Sequence, residues 1–157
     1  MENIKIERRR LKVDEYQALR GTTDWFTVDD EVVEKSLKND LFTVCVFDRK
    51  TLVGMGRIVG DGAIYFYIQD VIVIPSYQGK GIGVLIMNEI EEYIEENAFN
   101  NSFIGLMAAD GVKKFYHKFG YLERAETRPG MSKLIKKQVE SICRTHLGMV
   151  AIMAIRL

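Results

Sequence analysis

The sequence predicts one α/β domain in which a partly parallel sheet carries helices packed against it. Three observations lead there. A chain of 157 residues suits a single domain with a single core. Ile82 to Asn97 reads as an amphipathic helix between two apolar, strand-like runs. The alternation of strand and helix that begins at Ala63 is that of a sheet with helices laid on it.

Bulk composition narrows the function. Lysine plus arginine and aspartate plus glutamate both number 22, so the basic excess of a nucleic-acid binder is missing. Cys45 and Cys143 are too few and too far apart for a disulfide framework or a zinc site, and Cys45 reads as a small buried hydrophobe. His117 and His146 stand alone, so no metal is expected. Met1 to Arg10 is charged and has no apolar signal core, and no apolar run approaches the roughly 20 residues that cross a bilayer. The expectation is a protein of the reducing cytoplasm with no membrane partner.

Taken in order, Asp14 to Arg20 predicts a short helix capped by Asp14 and stopped by Gly21. A second helix starts at a cap on Thr27 or Asp29 and carries Val32, Val33, Ser36 and Leu37 on one face. Trp25 and Phe26 lie in the loop between them. Phe42 to Phe47 alternates as a strand, residues 48–50 turn, and Leu52 to Val59 returns. After the tight-turn signal Asp61-Gly62, Ala63 to Ile74 is a strand long enough to bend or bulge, around Gln69-Asp70. The helix over Ile82–Asn97 places Ile82, Leu85, Ile86, Ile90, Tyr93 and Ile94 on one stripe. A short strand over Phe103–Ala108, a helix over Val112–Phe119 ended by Gly120, and a strand over Leu122–Thr127 follow.

The chemistry concentrates in residues 70–83. An apolar strand ends at Pro75, a loop with Gly79, Gly81 and Gly83 follows, and a helix starts at once. The first amides of a helix lack internal partners and sit at the positive end of its dipole. Glycines let that backbone close on a diphosphate. The spacing fails the dinucleotide pattern, because the glycines recur every second residue. It also fails the P-loop pattern, because Lys80 is followed by Gly81 rather than serine or threonine.

The run Gln78-Gly79-Lys80-Gly81-Ile82-Gly83, with the strand and Pro75 before it, resembles the cofactor loop of the GNAT acetyltransferase superfamily. The short strand after the helix, then Phe115-Tyr116 and Gly120-Tyr121, extend the likeness over about Leu41 to Leu122. The runs Gly54 to Gly83 and Phe115 to Tyr121 also resemble a bacterial subgroup likened to arylalkylamine acetyltransferases. The resemblance implies a GNAT-like α/β (α+β) fold: a mixed, mostly antiparallel sheet of six or seven strands, split near Asp70. About four helices would flank it, plus an extra one near the C-terminus. It implies acetyl-CoA as co-substrate. Pantetheine would lie along Val71, Ile72 and Val73, with the Val73 amide on the thioester carbonyl. The pyrophosphate would rest on the amides of Gln78, Gly79, Lys80, Gly81, Ile82 and Gly83. Tyr116 matches the tyrosine that protonates the departing thiolate. Where many members carry asparagine, this chain has Ala109 followed by Asp110, so Asp110 stands in for the contact or the contact is lost.

The acceptor side is read from residue types. Asp70 could take the amine proton through water, or be hydrogen-bonded at a bulge. Tyr65 and Tyr67 share one strand face and, with Trp25 and Phe26, could wall an aromatic acceptor pocket; strand aromatics are more often core. Residues 131–146 could form an inserted helix before a last strand over Met149–Ile155, or that end could be a dimer-forming arm. The expected activity is N-acetyl transfer to a primary amine of a small molecule. A non-catalytic acyl-CoA sensor and an enzyme acting on a protein N-terminus or lysine are the alternatives.

Overall fold

The computed structural model describes residues 3–135. Contacts divide the chain into two units, Met1–Leu122 and Glu123–Leu157. In the second, the described residues 123–135 form no helix or strand, and a turn closes Ala125 to Arg128. The expected C-terminal helix begins in this irregular stretch. Its remainder, and the strand over Met149–Ile155, lie outside the described residues.

The first unit runs β1 (Ile4–Arg8), α1 (Val13–Arg20), α2 (Asp30–Leu37), β2 (Phe42–Asp48), β3 (Thr51–Gly60), β4 (Tyr65–Val73), a 3₁₀ turn (Pro75–Tyr77), α3 (Ile82–Asn97), β5 (Phe103–Leu106) and α4 (Lys113–His117). The described strands form one sheet in sequential order. β1 to β4 pair antiparallel and β4 pairs β5 in parallel, because α3 carries the chain back across the sheet. The class is the mixed α/β one expected, with five strands rather than six or seven among the described residues.

Against the expectation, one strand does not form, one forms unannounced, and the last expected one lies outside the described residues. No strand forms over Leu122–Thr127: Leu122 is 83% exposed and the residues after it are mostly polar, so no apolar face is available to bury. Conversely, β1 forms in the charged N-terminus, where Ile4 and Ile6 pack on the core while Lys5 and Glu7 alternate with them. A third correction concerns α1. Lys12, not Asp14, precedes its first turn, and Glu15 reaches back to accept the Lys12 amide.

Each sheet face has its own core. On one, α3 buries Ile82, Ile86, Met87 and Ile90 against Val44, Val46, Val53, Ile58, Phe66 and Ile68. Gly56 allows the helix to lie close, since a Cβ there would stand 2.5 Å from Ile86. On the other, α1 and α2 pack Tyr16, Leu19, Val33 and Leu37 against Cys45, Met55 and Ile72.

Candidate active site

The site is built around a fault in β4. Its register with β3 shifts between Met55 and Arg57, and Asp70 adopts φ +53°. Aspartate tolerates this left-handed conformation better than a branched residue would. The extra residue reverses the alternation of side chains. Phe66 and Ile68 join the α3-side core before the bulge, whereas Ile72 joins the α1/α2 side after it. Gln69 and Asp70 therefore share a side, and Gln69 Nε2 donates to Asp70 Oδ1 at 3.0 Å. Sequence alternation alone allows only one of the two on a face.

The bulge also marks where the sheet divides. β5 pairs with β4 only from Tyr65 to Ile68, so Gln69 to Val73 has no neighbour on that edge. The Ile74 amide donates to Val53 on β3. By the two-residue period of a strand, Ile72 also turns its backbone groups to β3, while Val71 and Val73 turn theirs to the free edge. The Val73 carbonyl there accepts Gln78 Nε2 at 3.0 Å.

Beyond the strand, the 3₁₀ turn leads into the glycine loop. Gly79 has φ +73° and Gly81, capping α3, has φ +83°. Both are left-handed, which is why glycine stands at each. A Cβ on Gly79 would meet no heavy atom within 4 Å, so the loop opens outward as a cradle. The Ile82 and Gly83 amides open the helix and have no partner within it. Gly83 serves packing, since a Cβ there would press on Phe115 at 3.3 Å. Lys80 is exposed, its ammonium 5.0 Å from the Tyr77 ring centroid. Unpaired amides at a helix start suit a diphosphate, the group that the resemblance implies here.

Tyr116 is half-buried on α4, against Phe115 and Tyr121, and borders the α3-side core as Val71 and Val73 do. Burial pushes its phenol up from the ordinary tyrosine range, so it holds its proton at neutral pH. Asp110 is exposed in the turn before α4, next to Gly111.

Asp70 lies on the opposite, α1/α2 side and is not free. Its Oδ2 accepts Tyr16 Oη at 2.9 Å and Arg57 Nη1 at 2.5 Å, and Arg20 Nη1 stands 3.6 Å from Oδ1. Arg57 in turn forks onto Asp40 at 2.6 and 2.9 Å and donates to Ser36 Oγ. This buried cluster was missed in the sequence because its members are far apart in the chain and carry no motif. Trp25 is half-buried against the α1/α2-side core, with the Arg20 guanidinium over its ring. Tyr65 is 59% exposed and edges Phe103, while Tyr67 is half-buried with its hydroxyl enclosed. Among the described residues no three His, Cys, Asp or Glu side chains gather as metal ligands. None of the described helices is long and apolar enough to cross a membrane.

A split sheet facing a glycine-lined helix start defines an acetyltransferase fold, and comparison with known proteins agrees. The sequence profile of the acetyltransferase (GNAT) domain matches residues 15–136, and the chain belongs to that family. It is similar to SA2161 of meticillin-resistant Staphylococcus aureus, a protein of unknown function described as a probable acetyltransferase. That structure has TM-score 0.79 and 36% identity, over 84% of this chain and 99% of that one. An uncharacterised N-acetyltransferase, ycf52, of Pyropia yezoensis is 25% identical over 78% of this chain and 72% of its own. Histone acetyltransferase TAP1 of Glycine max is 33% identical over 54% of this chain and 36% of its own.

Proposed function

We propose that this GNAT acetyltransferase moves the acetyl group of acetyl-CoA to a primary amine of a small molecule, by direct attack in a ternary complex. The observation that carries the reading is the free edge of β4 at Val71 and Val73, immediately ahead of the amide cradle from Gln78 to Gly83. An extended pantetheine arm can pair with such an edge as a strand would. The cradle takes the pyrophosphate. The Val73 amide donates to the thioester carbonyl oxygen as charge develops on it.

In the transfer the amine nitrogen bonds to the carbonyl carbon, the carbon–sulfur bond breaks, and the Tyr116 hydroxyl gives its proton to the leaving sulfur. Asp110 is kept only as a contact at the cofactor rim. The acceptor enters from the α1/α2 face, against Tyr65 and Tyr67, with Trp25 behind Arg20. Asp70, with both oxygens engaged, fits the role of bulge organiser better than that of base. The amine proton then leaves through water. We place the reaction in the cytoplasm, in keeping with the free, buried Cys45. A second reading, transfer to a protein lysine, is favoured by the name of the soybean relative and by the exposure of Phe26 and Tyr65.

The test is thiol release from acetyl-CoA with a panel of small amines and lysine peptides, against a no-acceptor control. Turnover with small amines supports the first reading, and turnover with peptides alone replaces it by the second. Acetyl-CoA binding without any acceptor-dependent release leaves a sensor module.

A further inference from the structure

The bulge that opens the sheet is held by charges, and one residue gathers them. Arg57 lies on β3 at the register shift, and its side chain is only 3% exposed. Its Nη1 donates to Asp70, while Nε and Nη2 fork onto Asp40, which follows α2; Nη2 also reaches Ser36 on α2 itself. Asp40 additionally accepts Thr43 Oγ1 at the start of β2. From α1, Tyr16 donates to the Asp70 carboxylate and Arg20 stands within ion-pair reach of it.

Two arginines and two aspartates balance in charge. Such a cluster is poor value as a stabiliser, because well-packed apolar side chains would serve as well or better. What it does supply is geometry. The planar guanidinium can satisfy two carboxylates only when both lie at fixed positions in its plane. Asp70 is also the residue with the left-handed backbone. Fixing its carboxylate fixes the point at which β4 changes register, and hence the direction of the Val71 and Val73 backbone groups.

We propose that Arg57 is a positioning residue: by clamping Asp70 to Asp40 it holds the bulge in the register that aims the β4 free edge at the acyl group. The inference rests on the acetyl-transfer reading for its kinetic consequence, but its structural half stands apart from that reading. Ser36 and Asp40 bring α2 and its exit into the same clamp, so the acceptor-side helices and the bulge are set together.

The experiment uses the full chain with Arg57→Lys and, separately, Asp70→Asn. Lysine keeps the charge but cannot fork across two carboxylates; asparagine keeps the shape and the backbone tolerance but drops the charge. Acetyl-CoA affinity, kcat with the best amine of the panel, and hydrogen exchange of peptides covering 69–74 are measured. Exchange across β1 and β2 is the internal reference.

Both variants are expected to retain acetyl-CoA binding through the intact cradle, weakened by about tenfold at most as the pantetheine arm loses an aligned hydrogen bond on β4. Both should lose about 100-fold in kcat, as for a small misplacement of reacting groups. Exchange protection should fall selectively over 69–74. Wild-type kcat in either variant, or exchange that is unchanged or that rises evenly over the whole sheet, overturns the proposal. Should the wild-type protein transfer acetyl to no amine, the acetyl-transfer reading fails by itself, and selective exchange over 69–74 still decides the clamp.

Discussion

The guanidinium of Arg20 lies 5.2 Å from the centroid of the Trp25 ring. The indole face that a cationic amine would seek is therefore engaged by a residue of this chain. Arg20 also stands over Phe26, is buried at 8% exposure, and donates to the Phe26 carbonyl. The expected outcome for Trp25→Ala is a loss of about 3 kcal/mol of stability, the low end for removing a large ring from a core. Acceptor KM should change little. Denaturant melts and kinetics on the same protein check this. A raised acceptor KM with unchanged melting would put the ring in the pocket instead.

Gly79 separates the cradle from the fold. Because an added Cβ would meet open space, Gly79→Val should fold, at a cost of about 1–2 kcal/mol for the left-handed backbone. Its side chain would stand where the proposed diphosphate would lie against the loop. Calorimetric titration should find acetyl-CoA binding abolished while the melt remains cooperative. Normal affinity would remove the loop from the cofactor site.

Tyr116→Phe keeps the ring against Phe115 and Tyr121, so the melting temperature should hold. The hydroxyl is lost. Turnover should fall by roughly 10²- to 10⁴-fold with little change in acetyl-CoA affinity. Unchanged turnover across the pH range would make the tyrosine a packing residue.

Glu91 predicts a pH effect of definite sign. It accepts Tyr121 Oη at 2.7 Å, and burial raises its carboxyl above the ordinary value of 4.5, the hydrogen bond only partly opposing this. The folded state then holds a proton that the unfolded state has released. Its contribution to stability is fully present below pH 4.5 and is lost as pH rises through the elevated folded value. Glu91→Gln keeps an acceptor for Tyr121 and cannot ionise. The variant should match or exceed wild-type melting at pH 7 and lack the decline in that acidic window. A wild-type pH profile retained in the variant would assign the decline to other groups.

Much of this was legible in the residues. The β2–β3 hairpin, the α3 stripe, the bulge near Gln69-Asp70 and the glycine loop are local signals: a period, a turn pair, a strand too long to stay regular. Each is expressed within about a dozen residues of chain. Those same signals carried the family. β1 was hidden because its two isoleucines sit among charges, and an edge strand shows its pattern only once a neighbour covers one face.

The sequence by itself determined the glycine-lined helix start at which we propose an anion is held, since its unpaired amides need no distant partner. Only the tertiary structure decided what Asp70 does. In sequence it is one carboxylate beside a glutamine. In the fold, Tyr16 and Arg20 reach it from 54 and 50 residues away, and Arg57 on β3 brings Asp40 to it from the loop after α2. Buried charge must find its counter-charge wherever the packed chain supplies one, and that pairing is set by the sheet and its helices together rather than by any spacing along the chain.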